Sequence, residues 1–327
     1  MTSIVTNRIC SLNLVNSSIL SSSASALWTR QFSSFVVSCR RRRQHSIATS
    51  TTSCCCEVLN STTTTTTTTI STDLLKRKKP EKQSPKLLRE VFAELELPAI
   101  QEMVGGVRVR QHVNPLKASL VAPLAPVKWE AVFADCTLPL MVDIGCGPGR
   151  LLMLLAKRSA GTQNFLGLDV RERLVDRAKL WAEELNLSGN VHFVTTNATV
   201  SFRSLLATYP GPLAYVSILC PDPHFKRKHR KRRIVQKELV DAIVHYLKPG
   251  GEICVQSDVK DVALEMRTEF DEQLESSLQV VAGDGDAPVK RDSEGWVQVN
   301  PLGVPSEREA FVEANGGRVY RAVYRRI

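Results

Sequence analysis

The sequence predicts an α/β fold: a mainly parallel, seven-stranded sheet with helices on both faces. Three observations carry that expectation. Apolar runs of strand length alternate with amphipathic stretches from Leu138 onward. A glycine-rich turn, Gly145, Gly147 and Gly149, follows the first run. An acid, Asp169, closes the second. A parallel sheet needs right-handed crossovers and places its ligand site outside the carboxyl ends of the strands.

The elements follow in order. LPLMVDIG (138–145) is the first strand and RLLMLLAKR (150–158) the helix after the glycines. NFLGLDV (164–170) is the second strand, and RERLVDRAKLWAEELNL (171–187) is apolar on one face, as a helix packed on a sheet must be. VHFVTTN (191–197) is the third strand, followed by a short helix at 202–208 and a fourth strand, LAYVSILC (213–220). KRRIVQKELVDAIVHYL (231–247) predicts a helix halted by Lys248-Pro249-Gly250-Gly251, because neither proline nor glycine continues one. EICVQSD (252–258) is the fifth strand, and VKDVALEMRTEFDEQLESS (259–277) a helix. LQVVAG (278–283) and GGRVYRAVYRR (316–326) close the sheet.

The segment ahead of this pattern reads as an address. Residues 1–56 contain no Asp or Glu, abound in Ser and Thr, and cluster arginine at Arg40–Arg43. That is the composition of an organellar transit peptide, here residues 1–60, with the Ser/Thr excess pointing to the chloroplast and the mitochondrion as the alternative. A Thr-rich and basic linker (61–85), containing Thr62–Thr69, and an N-terminal arm (86–137) lead into the main domain (138–327). No run approaches the ~18 apolar residues of a spanning helix, so no membrane partner is expected. Five of the nine cysteines lie before Glu57, and the rest, Cys136, Cys146, Cys220 and Cys254, are spaced as buried thiols rather than as disulfides or metal ligands.

The polar residues sit at strand ends. Asp143 precedes the glycines in a D-x-G-x-G-x-G pattern whose glycines let backbone approach a ligand. A dinucleotide fingerprint would need glycine where Arg150 stands. Asp169 suits a pair of ribose hydroxyls. Asn197 can meet an adenine edge or cap the next helix, and the two roles can coexist. Cys220-Pro221-Asp222-Pro223-His224-Phe225-Lys226 ends the fourth strand, with two prolines aiming the Asp222 carboxylate into the crevice. The net charge is +10, and seven Lys/Arg fall within Lys226–Arg233, a local patch suited to a phosphate backbone.

PDPHFKRKHRKRR (221–233) and IVQKELVDAIVHYLKPGGEICVQSD (234–258) resemble the bacterial-type tRNA (guanine-N7-)-methyltransferase family. That family carries Pro-Asp-Pro-Trp before a basic stretch and Arg-Arg, Thr-Asp after strand five, and a C-terminal Pro-Thr-Glu/Lys-Phe/Arg-Glu. The last reads Pro305-Ser306-Glu307-Arg308-Glu309 here. The likeness covers 138–327, and more loosely begins at RVRQHVNPL (108–116).

The resemblance implies a class I methyltransferase Rossmann-like fold. It implies S-adenosyl-L-methionine held by Asp143, Gly145, Gly147, Asp169, Asn197 and Asp222, with Asp222 also the catalytic residue and no metal. Lys226, Asp258, Ser306, Glu307, Arg308 and Glu309 fall on the RNA side. The implied partner is tRNA, methylated at guanosine N7 in the variable loop by a monomer or homodimer. Among the cofactor contacts three positions depart from the family: Asp143 and Asp169 replace Glu, and Asn197 replaces Asp. His224 replaces the Trp, and an imidazole stacks less broadly than an indole. Asp222 can stabilise charge on the methylated guanine or hold its N1 and N2 edge.

Two other readings compete. An amino-methyltransferase acting on adenine N6 or cytosine N4 would carry Asp/Asn-Pro-Pro-Tyr/Phe, which Asp222-Pro223-His224 breaks. A catalytically inactive RNA-binding member of the fold would not need its polar strand ends intact.

Overall fold

Five consecutive residues, Leu140–Ile144 (β1), are buried on both faces, Asp143 included, as a central parallel strand requires. The computed structural model describes residues 85–97, 113–122, 124–274, 276–284 and 287–327. All lie within one unit, 78–327. The transit-peptide and linker expectations over residues 1–84 lie outside the described residues.

Ahead of β1 come α1 (Pro85–Val91) and α2 (Ala118–Val121). After it the chain alternates: α3 (Arg150–Ser159), β2 (Asn164–Asp169), α4 (Glu172–Glu184), β3 (Val191–Thr195), α5 (Ala198–Leu206) and β4 (Leu213–Leu219). Then follow α6 (Lys237–Tyr246), β5 (Leu247–Ser257), α7 (Lys260–Asp271), β6 (Leu278–Val280) and a small hairpin, β7 (Gly283–Asp284) and β8 (Ala287–Pro288). The described chain closes with α8 (Glu307–Ala314) and β9 (Tyr320–Arg326).

The main sheet has seven strands in the order β3-β2-β1-β4-β5-β9-β6. β1 to β5 pair in parallel, and β9 runs antiparallel between β5 and β6. The strand order reverses between β1 and β4, so a crevice opens at their carboxyl ends, where the glycine turn and Asp222 lie. One core of buried residues joins β1, β2, β4, β5, α5, α6, α7 and β9.

Three elements differ from expectation. The helix read over 231–247 begins only at Lys237, and Arg227–Arg232 forms a 3-10 turn instead. Cations at helical spacing repel one another, and that segment buries nothing to offset the repulsion. β5 begins at Leu247 and runs through Lys248-Pro249-Gly250-Gly251. Its pairing jumps from Leu213↔Leu247 to Tyr215↔Glu252, a bulge that takes up the proline and glycines without ending the strand. α8 was not legible as a helix, although Ser306 and Glu309 form a reciprocal capping box at its start.

Candidate active site

The turn from β1 to α3 holds Gly145, Gly147 and Gly149 at φ 88°, 59° and 77°, a left-handed run that side chains resist. Two of the three also differ in space. A Cβ on Gly145 would meet nothing, whereas one on Gly149 would lie 2.5 Å from the Phe193 ring. Gly145 therefore leaves the turn open to a ligand, and Gly149 lets α3 pack on β3.

Asp143 is 4% exposed and accepts a 2.7 Å hydrogen bond from the Ser217 hydroxyl. Burial pushes its carboxyl up to about 7, the Ser217 bond opposes that shift, and the nearby Asp169 charge adds to it. Asp169 accepts four hydrogen bonds: from the Gly147 amide (3.0 Å), and from the Arg171 amide (2.8 Å), Nε (2.8 Å) and Nη2 (2.6 Å). Those occupy the lone-pair positions of a carboxylate. A ribose diol at Asp169 thus shares the carboxylate with Arg171 or displaces its guanidinium.

Asn197 caps α5, accepting from the Thr199 amide at 3.1 Å, and its Nδ2 donates to the Pro115 carbonyl at 3.3 Å. The N-terminal arm therefore touches the end of β3, beside the position assigned to adenine. Asp143, Gly145, Gly147, Asp169 and Asn197 are in this way gathered on the ends of adjacent strands.

At the end of β4, Cys220 and His224 both have positive φ, 50° and 42°, and enclose Pro221-Asp222-Pro223. Such conformations cost non-glycine residues of order 1 kcal/mol each and persist where the surroundings enforce them. Here the Cys220 amide donates to the Gln256 carbonyl at 2.8 Å, and Arg233 Nε donates to the Pro223 carbonyl at 2.9 Å. Arg233 is in turn paired with Glu265. Asp222 stays partly open; the His224 amide donates to it at 3.3 Å, and the His224 ring lies 3.9 Å away. Lys226 lies beyond, exposed at the start of the basic turn.

The C-terminal segment divides into two roles. Glu307 pairs with Arg150 at 2.5 Å, and Arg308 reaches Asp258 with two nitrogens at 2.6 and 3.1 Å. These pairs bring Asp258, Glu307 and Arg308 to the rim formed by the start of α3 and the end of β5. Glu309 is expected on the RNA side, but the structure buries it. It is 1% exposed, and its oxygens accept from Arg321 (2.5 Å), Gln256 (3.1 Å), Asn300 (3.0 Å) and the Ser306 amide (3.1 Å). The buried Arg321 guanidinium requires a buried counter-charge, and Glu309 supplies it. Ser306 likewise turns inward, its hydroxyl oxygen accepting from the Glu309 amide as the α8 cap.

Sequence reasoning missed Arg150, Arg171, Gln256 and Arg321. Arg171 had a local signal, two residues from Asp169 at a helix start. Arg321 had none, since a charge in an alternating strand reads as exposed. Among the described residues no His, Cys, Asp and Glu cluster could hold a metal ion, and no helix is long and apolar enough to cross a membrane.

A family model described as "Putative methyltransferase" matches residues 137–322. A protein of Synechococcus sp. strain JA-2-3B'a(2-13), named tRNA (guanine-N(7)-)-methyltransferase, is 44% identical over 205 residues, which is 62% of this chain and 78% of that one. A protein of the same name from Trichormus variabilis is 42% identical over 68% of this chain and 97% of its own length. A third from Nostoc sp. strain PCC 7120 is 41% identical over 67% and 94%. The glycine turn, the polar strand ends and the basic turn all lie inside the residues that the family model matches, and the chain belongs to the tRNA (guanine-N7-)-methyltransferase family.

Proposed function

We propose that this chain transfers a methyl group from S-adenosyl-L-methionine to N7 of a guanosine in the variable loop of tRNA. The observation that carries the reading is Asp222, pinned between two prolines at the switch point of the sheet, with the open glycine turn on one side and the basic turn on the other. The names of the relatives support the same reaction.

The residues suit the cofactor. Gly145 leaves backbone accessible, Asp143 offers a buried carboxylate to a cationic group, and Asp169 and Asn197 offer hydrogen-bonding atoms at the next two strand ends. The cofactor supplies an electrophilic methyl group on sulfur. Guanine N7 has a lone pair and no proton, so the protein need not remove one first. Its task is to hold the base in line, and orientation of that kind accounts for much of the rate. Methylation leaves positive charge on the purine, which the Asp222 carboxylate favours as the charge develops. Lys226 and its neighbours neutralise RNA phosphates, making binding fall with salt.

Residues 1–60 direct the chain to the chloroplast in this reading; the absence of Asp and Glu from residues 1–56 and the Ser/Thr excess support it, and uptake of the full chain by isolated chloroplasts but not mitochondria tests it.

The reaction is tested with unmodified tRNA transcript and S-adenosyl-L-methionine, followed by borohydride reduction and aniline. Aniline then cleaves only at N7-methylguanosine, and one cut in the variable loop is the expected result. Methyl incorporation without a cut would transfer the assignment to an amino-methyltransferase.

A further inference from the structure

Among the described residues, the large apolar side chain most open to solvent is Phe225, at 75% exposure; Ile327 follows at 58%. A single exposed apolar residue needs no explanation by itself. Phe225 is distinguished by what holds it there. It follows Asp222 by three residues on a loop whose backbone is fixed by two prolines, by the positive φ of Cys220 and His224, and by the Arg233 bond to Pro223. His224, the residue that replaces the family Trp, turns inward: its side chain is only 11% exposed and lies 3.9 Å from the Asp222 carboxylate. The rigid loop therefore withdraws the imidazole and presents the phenyl ring one position later. On the other side of the ring stand the exposed Lys226, Arg227 and Lys228. An aromatic face bordered by exposed cations matches an unpaired nucleobase flanked by phosphates, the way proteins grip single-stranded RNA.

We propose that Phe225 is a positioning residue for the RNA: its ring is the platform on which an unpaired base stacks beside Asp222. This rests on the methyl-transfer reading above and adds a contact to it. The ring offers a stacking face where neither the inward-turned His224 nor the lysines provide one. A base seated on it is held by its face, so the contact tolerates any base, and the Lys226–Arg233 charges add affinity without adding to the stack.

The test compares the full-length wild type with Phe225→Ala, Phe225→Leu, Phe225→Trp and Lys226→Ala, measuring affinity for unmodified tRNA across a salt series. Stacked bases contribute enough that Phe225→Ala should weaken binding roughly 5- to 150-fold at every salt concentration, with an unchanged salt slope. Lys226→Ala should instead reduce the slope by about one counterion. Leucine should recover little, because it is apolar without a π face. Tryptophan should retain affinity, and its indole emission should be quenched by tRNA beyond the background of the wild type, which carries the same Trp28, Trp129, Trp181 and Trp296, the last three buried. In turnover the loss should fall mainly on KM for tRNA and not on cofactor Kd. Wild-type affinity in Phe225→Ala, full recovery by leucine, or a changed salt slope would overturn the proposal. If wild-type enzyme makes no aniline-sensitive site while Phe225→Ala still loses tRNA with an unchanged slope, the stacking stands and the assigned reaction fails.

Discussion

Replacing Asp143 with asparagine should make the cofactor-free protein more stable, by an amount that depends on pH. The Asp143 carboxyl titrates near 3.8 when unfolded and is raised to about 7 in the fold, chiefly by burial. Between those values the native state keeps a proton that the unfolded chain has released. Stability from this group is therefore complete below about pH 4, falls as pH rises through the window, and is flat above about pH 7. The slope is about 1.4 kcal/mol per pH unit, so the full cost at about pH 8 is of order 4 kcal/mol. Asparagine does not titrate, and its Oδ1 can still accept the bond that Ser217 donates at 2.7 Å. The variant should match wild type at about pH 4 and exceed it by several kcal/mol at about pH 8. Urea unfolding of both proteins across this range, with linear extrapolation to water, reads the difference directly. A pH-independent difference, or a wild type more stable than the variant above pH 7, would refute the account of Asp143 as a buried and costly carboxylate. Cofactor affinity should move the opposite way, since the variant lacks the charge that a cationic group would meet.

Three further outcomes follow from the geometry. Asp222→Ala should abolish methyl transfer while leaving cofactor binding largely intact; near-normal turnover would remove Asp222 from the chemistry. Glu309→Ala should lose about 3–5 kcal/mol by leaving the Arg321 guanidinium buried and unpaired, and unfolding titrations that find a loss below 1 kcal/mol would return Glu309 to the surface. Gly149→Ala should cost about 2–4 kcal/mol, because its φ of 77° and the Phe193 ring 2.5 Å from a Cβ both oppose a side chain; a thermal shift near zero would contradict that packing.

Much of this molecule was legible because strand ends are chemically conspicuous. Asp143, Asp169, Asn197 and Asp222 each close an apolar run, and parallel topology brings those ends together without further information. Local contacts were partly accessible, as with the Asp169–Arg171 pair. The C-terminal segment was not. Which of Glu307, Arg308 and Glu309 faces solvent depends on α8 lying against β5 and β9, a tertiary fact with no trace in a short polar run. Arg321 was opaque for the same reason: β9 is interior to the sheet, so both of its faces are buried, and alternation stops reporting exposure. The basic run misled in the opposite sense. It has helical composition, but its charges repel and none of it packs against the core.

The position of β9 between β5 and β6 also constrains the order in which the sheet can be assembled. β6 precedes β9 along the chain, yet among the described residues its only partner strand in the main sheet is β9. The five parallel strands can pair as they emerge, but β6 must wait until roughly forty residues later in the chain have folded back onto β5. Until then β5 is an open edge, carrying Cys254 and Gln256 with unpaired backbone, and so a template for association with another chain. A truncation that removes β9 would therefore do more than shorten the protein. It would leave β6 without a sheet to join, Glu309 without its counter-charge, and a long apolar edge exposed to neighbouring molecules.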